Sequence, residues 1–215
     1  MNLRIPIRSF FDFAWPCPRL GEIPFMKGPL TGWPERHKLP DLGGLEGADS
    51  FAEVYLGWRD EGLYIGVDVQ GKAGLKVEPK RPLKGDGIQV WVDTRDVRDA
   101  HRASRFCHHF FFLPGGGRRK GAASGQVRIR RARSQGKPCE PQAITVVSKI
   151  RSSGYRLSAH LPADVLHGFD PEDNTRIGFT YRIADSLLGL QSWTAEDPLP
   201  VSYDPSLWGT LQLVD

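Results

Sequence analysis

Phe51-Ala-Glu-Val-Tyr-Leu-Gly-Trp58, Gly62-Leu-Tyr-Ile-Gly-Val-Asp-Val69 and Gly87-Ile-Gln-Val-Trp-Val-Asp93 share one rhythm, apolar on alternate residues. In the first, Ala52, Val54, Leu56 and Trp58 fall on one face, with Glu53, Tyr55 and Gly57 on the other. Successive strand side chains point to opposite sides, so a period of two predicts strands with one buried face. The polar link Arg59-Asp-Glu between the first two segments predicts a hairpin.

The same reading extended along the chain predicts strands at 51–58, 62–70, 87–94, 106–113, 126–133, 142–151, 154–161, 176–184 and 208–214, with 4–10 as a further edge strand. Only Ala163-Asp-Val-Leu166, after Pro162, reads as a short helical turn. Pro16, Pro18, Pro24, Pro29, Pro34 and Pro40 make 14–50 an irregular arm. The expected fold is all-β: a two-sheet antiparallel β-sandwich, jelly-roll or immunoglobulin-like, with an irregular proline-rich N-terminal arm. One domain is expected over 1–215, with 1–50 the arm and edge strand and 51–214 the sandwich core.

Composition is that of an ordinary soluble domain, at 40% hydrophobic and 25% charged residues. Apolar runs such as Phe110-Phe-Phe-Leu113 are far too short to span a membrane. The first residues hold Arg4 and Arg8 among apolar neighbours and show no small-residue cleavage site, so no signal peptide is read and the compartment is left open. Three cysteines, Cys17, Cys107 and Cys139, show no C-x-x-C spacing; free thiols are expected, with one bridge left open.

Nucleophile-elbow, zinc-protease, P-loop and dinucleotide motifs are all absent, so no enzyme is expected. His108 and His109 are neighbours in a strand and must face opposite ways, so they cannot share one metal ion. Charge, by contrast, is concentrated. Residues 118–137 carry eight basic residues and no acid, although the whole chain is only +4. Arg118, Arg119 and Lys120 open this segment. Arg128, Arg130, Arg131 and Arg133 then alternate around Val127 and Ile129, which reads as a hairpin strand with a basic outer face. It is either a polyanion-binding patch or a charged edge that blocks sheet-to-sheet association.

The order of segments resembles the family 9 carbohydrate-binding modules, within the DOMON-like β-sandwiches. The resemblance rests on Gly28-Pro-Leu-Thr-Gly-Trp33, Trp58-Arg-Asp-Glu-Gly-Leu-Tyr-Ile65, Asp86-Gly-Ile-Gln-Val-Trp-Val-Asp93, Gly154-Tyr-Arg-Leu-Ser-Ala-His-Leu-Pro162, Ile177-Gly-Phe-Thr-Tyr-Arg-Ile-Ala-Asp185 and Trp208-Gly-Thr-Leu-Gln-Leu213. It implies a sugar clamped between two aromatic rings and gripped by polar side chains. Where one ring belongs this chain has Leu83, and the family's two glutamates appear as Gln89 and Ser158. Trp193 lies where the second ring could sit.

Alternation places Trp91 on the face of Gln89 and Asp93, either in a groove or beneath a loop. The expected ligand-binding residues are therefore Gln89, Trp91, Arg182 and Trp193, for a glycan or saccharide held without bond chemistry, unless the sugar site is retuned or lost and only the fold is kept. The resemblance also implies that a metal can brace loops. Asp86 and Asp93, flanking a strand, and Asp41, Asp49, Asp170, Asp173, Asn174 and Asp185, in turns, either cap their own backbone or supply oxygen donors for a structural calcium, the one cofactor left open. Two other functions stay open: an interaction module that takes a polyanion or protein partner on 118–137, and an uncharacterised hydrolase.

Overall fold

The alternating segments pair into two stacked sheets. The structure is a computed structural model that describes residues 5–22, 33–117 and 121–215. Its strands are β1 (Ala14–Pro18), β2 (Ala52–Arg59), β3 (Gly62–Gln70), β4 (Gly87–Asp93), β5 (Cys107–Leu113) and β6 (Ala123–Val127). They continue as β7 (Thr145–Arg151), β8 (Gly154–Pro162), β9 (Arg176–Asp185), β10 (Gly189–Ser192) and β11 (Gly209–Val214). One sheet has seven strands in the order β1-β11-β9-β4-β5-β6, with β10 also paired to β9; the other runs β2-β3-β8-β7. Helical structure among the described residues is limited to 3-10 turns of three or four residues. None of it is long and apolar enough to cross a membrane.

The sheets face each other through the residues that the alternation predicts. Val54, Leu56 and Trp58 of β2, with Leu63, Ile65 and Val67 of β3, meet Ile88, Val90, Val92, Phe110 and Phe112 from the larger sheet. Fully burying one such side chain is worth about 1.5–3 kcal/mol. Trp58 also donates its indole N–H to the Val214 carbonyl at 3.1 Å, tying the small sheet to the end of β11.

Several expectations need correction. Ala14–Pro18 is a strand rather than irregular arm, and it pairs parallel to β11, so the larger sheet is not purely antiparallel. Prolines fit there because β1 is an edge strand, where a missing N–H can face away from the ladder. Ile7–Phe10 is a 3-10 turn where an edge strand was expected. The strand expected at 126–133 is β6, which ends at Val127; the arginines beyond it lie in a loop. β10 was not anticipated at all. The short helical turn expected after Pro162 is present, with the Leu166 N–H donating to the Pro162 carbonyl at 3.3 Å.

Two buried ion clusters fasten the periphery. Arg8, 4% exposed, donates to Glu46 (3.2 Å) and to the Ser192 hydroxyl (3.1 Å), and pairs with Glu196 (3.1 Å). Lys72, 3% exposed, sits between Asp86 and Asp185, with its ammonium 2.7 Å from the Asp185 carboxylate. The second carboxylate oxygen of Asp86 accepts the Ser186 N–H at 2.7 Å. Burial alone would raise the Asp86 carboxyl, but the Lys72 ammonium and the N–H groups of Lys76 and Ser186 outweigh it and hold the group below its ordinary value.

Candidate functional site

The outer face of the larger sheet is built in rows. Gln89 on β4 stands opposite Phe111 on β5 and Arg182 on β9, and Phe111 stands opposite Gly125 on β6. The next row is Thr180, Trp91, His109 and Val127. These side chains share the outer face because their alternate neighbours, such as Val90, Phe110 and Tyr181, point into the core.

The second row is covered. Trp91 is 2% exposed, in a second apolar cluster with Ala103, Ile129, Ala195, Val201 and Trp208. Three loops supply this cover. Asp93 starts one of them by accepting the N–H groups of Arg95 (3.0 Å) and Val97 (2.9 Å). The Trp208 indole N–H closes another by donating to the Val201 carbonyl at 2.8 Å. His109 lies flat on Trp91, ring centroids 4.3 Å apart, with its Nε2 3.1 Å from the Gln89 side-chain oxygen. Burial first, and the nearby Arg182 charge second, push the imidazole down to about 3. A neutral imidazole facing an amide oxygen donates from Nε2, which leaves the Gln89 NH2 group turned to donate elsewhere.

The first row is open. Gln89, Phe111 and Arg182 are each half-buried, presenting an amide, an aromatic ring and a guanidinium side by side. Gly125 makes room for the ring: a Cβ there would lie 2.7 Å from Cε1 of Phe111. Arg182 is 3.5 Å from the exposed carboxylate of Asp197. Beyond the row, Leu113 is buried again. The segment leading into β4 passes there: the Pro82 carbonyl is 4.0 Å from where a Cβ of Gly87 would sit. The open row is thus a strip between two covered ends of one sheet face.

Of the expected ligand residues, Gln89 and Arg182 meet in this strip. Trp91 and Trp193 do not reach it. Trp193 is fully buried, packed edge-on against Phe13 (5.4 Å) and Phe179 (5.9 Å), because the chain turns into the core after Ser192. Neither indole offers a free face to a sugar. Ser158 lies on β8 in the other sheet, so it and Gln89 cannot grip one ligand. Phe111 is the residue that sequence reasoning passed over, though the signal was present. Within His109-Phe-Phe-Phe112 the same alternation sends Phe110 and Phe112 inward and Phe111 out.

Arg118, Arg119 and Lys120 lie outside the described residues. Arg128, Arg130, Arg131 and Arg133 are exposed on a loop anchored by buried Ile129, so they do not decorate an edge strand. The edge strand itself, Ala-Ser-Gly-Gln-Val, carries no charge.

Four of the candidate calcium donors are engaged within the protein. Asp86 and Asp185 hold Lys72, Asp93 binds its own loop, and Asp41 accepts the Ser50 hydroxyl at 2.6 Å. Among the described residues, no three His, Cys, Asp or Glu side chains gather as metal ligands. His108 and His109 do face opposite ways: His108 meets Gln126 at 3.3 Å, and burial lowers it to about 4.

A cleft of about 610 Å³ also opens at one edge of the sandwich. Its polar groups are mutually engaged. Lys38 pairs with Glu53 at 2.7 Å, Asp68 with Arg156 at 2.8 Å, and the Gln191 oxygen accepts the N–H groups of Phe51 and Ala52. It is a seam between the sheets, with few hydrogen-bonding groups to spare.

Residues 33–215 match the family model described as carbohydrate family 9 binding domain-like. The chain belongs to this family. Similar solved structures include a family 9 carbohydrate-binding module from Caldicellulosiruptor kristjanssonii in complex with cellotriose, 18% identical. The alignment covers 77% of each chain with a TM-score of 0.56. The same module in complex with glucose gives 18% identity and a TM-score of 0.56, over 78% of this chain and 79% of that one. At such identity the likeness concerns the fold, whose two-sheet sandwich agrees with the family. No curated protein matches the chain.

Proposed function

We propose that this family 9 domain binds a saccharide, without bond chemistry, on the strip formed by Arg182, Gln89 and Phe111. The observation that carries the reading is the register of these three on adjacent strands, with Gly125 clearing space for the ring. A pyranose needs a flat apolar surface for its C–H face and hydrogen-bonding groups at its edge. Phe111 supplies the first; the Gln89 amide and the Arg182 guanidinium donate to hydroxyl oxygens, and Asp197 accepts. The sugars held by the Caldicellulosiruptor module support the ligand class. With one ring rather than a clamp of two, affinity is weak, with Kd on the order of 0.1–1 mM.

The test is titration with oligosaccharides while the Gln89 side-chain amide is followed by NMR. Tryptophan fluorescence is a poor reporter, because Trp91 and Trp193 are both buried. Saturable shifts at Gln89 are expected, with a midpoint moved to about tenfold higher sugar concentration in Phe111→Ala. An unmoved Gln89 amide across a broad panel of sugars would defeat the reading.

A further inference from the structure

Resting on that reading, we infer that the saccharide is acidic, a glycan bearing carboxylate or sulfate groups, and that it runs from the strip onto a cationic shoulder beside it. The shoulder is made of two loops. Residues 101–106 and 128–137 are joined by backbone and side-chain hydrogen bonds: Arg133 N–H to the Ala103 carbonyl at 2.7 Å, and Arg105 N–H to the Ser134 hydroxyl at 2.9 Å. Neither segment contains an acid. Arg102 and Arg105 come from the first; Arg128, Arg130, Arg133 and Lys137 come from the second, all exposed. None of these has an ion-pair partner among the described residues, whereas Arg151, Arg156 and Arg176 elsewhere are paired. Unpaired cations brought together from two loops repel one another and favour an anion between them.

The shoulder adjoins the strip. Gly125 ends the open row, and Arg128 follows three residues later, about 10 Å along the chain at strand rise. That distance exceeds one sugar ring, so an oligomer reaches both and a monosaccharide does not. The strip itself is rich in donors. Gln89 stands where the resemblance places a glutamate, and its oxygen is taken by His109, which leaves its NH2 outward. Among the described residues, Arg182 pairs only with an exposed carboxylate at 3.5 Å, a weak pair that a ligand carboxylate can displace with better geometry. Polymeric sugar is favoured over nucleic acid because the strip offers one ring and no run of aromatic platforms for stacked bases.

The test is native affinity electrophoresis of the full chain through gels containing hydroxyethyl cellulose, carboxymethyl cellulose or single-stranded DNA, at about 0.05 M and about 0.3 M salt. The first two share a backbone and differ in charge. Carboxymethyl cellulose is expected to bind about tenfold more tightly at low salt. That advantage should disappear at high salt and in the triple variant Arg102→Ser, Arg130→Ser, Arg133→Ser, while Phe111→Ala loses both polysaccharides. Equal retention by the two celluloses, both lost in Phe111→Ala, overturns the acidic preference and leaves saccharide binding standing. Retention by carboxymethyl cellulose that survives Phe111→Ala, with DNA held equally well, overturns the inference in favour of a general polyanion surface. No retention by either cellulose overturns both readings.

Discussion

The two ends of one sheet face have opposite fates. Towards Trp91 and His109, three loops fold over the strands and build a second apolar cluster around Trp208. Two residues back along β4, at Gln89, the same face is left open beside Phe111 and Arg182. The strands and their pairing are the same at both ends; the loops decide which becomes core and which becomes surface. The difference shows why large aromatics are poor guides to the open part of this sheet face. The biggest rings are drawn under cover by their own area, and a smaller one beside a glycine is left at the surface.

The capped end should be the more costly to disturb. Trp208→Ala removes the centre of the second cluster and is expected to destabilise the protein by about 3–5 kcal/mol in urea unfolding. A loss below about 1 kcal/mol would mean that the loops form no real core. Next comes the Lys72 cluster, at the end of β4 away from the second apolar cluster. Lys72→Met leaves two buried carboxylates without their cation and should cost about 3 kcal/mol. An unchanged melting transition would show that the fold does not need the pairing.

Acid should destabilise the fold through its two buried histidines. His109 is held near 3 and His108 near 4 in the folded chain, against 6.5 for a free imidazole. The unfolded chain therefore takes up protons first as pH falls. Stability from these buried neutral rings is complete above 6.5 and declines from there down towards 3, by at most about 1.4 kcal/mol per pH unit for each histidine. Unfolding measured across this window should show the slope, and His109→Phe should flatten its share; a flat wild-type profile refutes the burial argument.

At the strip, Phe111→Ala should lower saccharide affinity by about tenfold, roughly 1.4 kcal/mol, with little change in melting. An affinity equal to wild type would move the site elsewhere. The smallest effect expected is a gain. Leu83→Trp, at an exposed position on the segment bordering the strip, should tighten binding about threefold by adding a second ring. Calorimetry with a cello-oligosaccharide distinguishes that from no change, which would place Leu83 out of the ligand's reach.

Most of the scaffold was legible in the sequence because pleated strands carry a period of two wherever one face is buried. β2, β3, β4 and β8 show it plainly, and their edges fall within a residue or so of expectation. β1 was hidden because Pro16 and Pro18 read as interruptions, and only its place at the sheet edge tolerates them. β10 is four residues long, too short for a pattern to emerge. In the site, alternation correctly put Gln89 and Trp91 on one face and separated the two histidines. It could not say what lies over that face. The cover comes from residues 94–106, 128–137 and 194–208, remote in the chain and joined only through tertiary contacts such as Arg133 to Ala103. For the same reason, the arginines at 128–133 looked like a strand edge and lie instead on a loop that covers the sheet with its charge turned outward.

Where Asp86 meets Asp185, the positive charge between them is a side chain of the protein itself. An ion drawn from solution would leave on dilution or in the presence of a chelator, and the loops would slacken with it. A tethered ammonium has an effective concentration fixed by the fold, so this fastening holds its strength whatever the metal content of the surroundings.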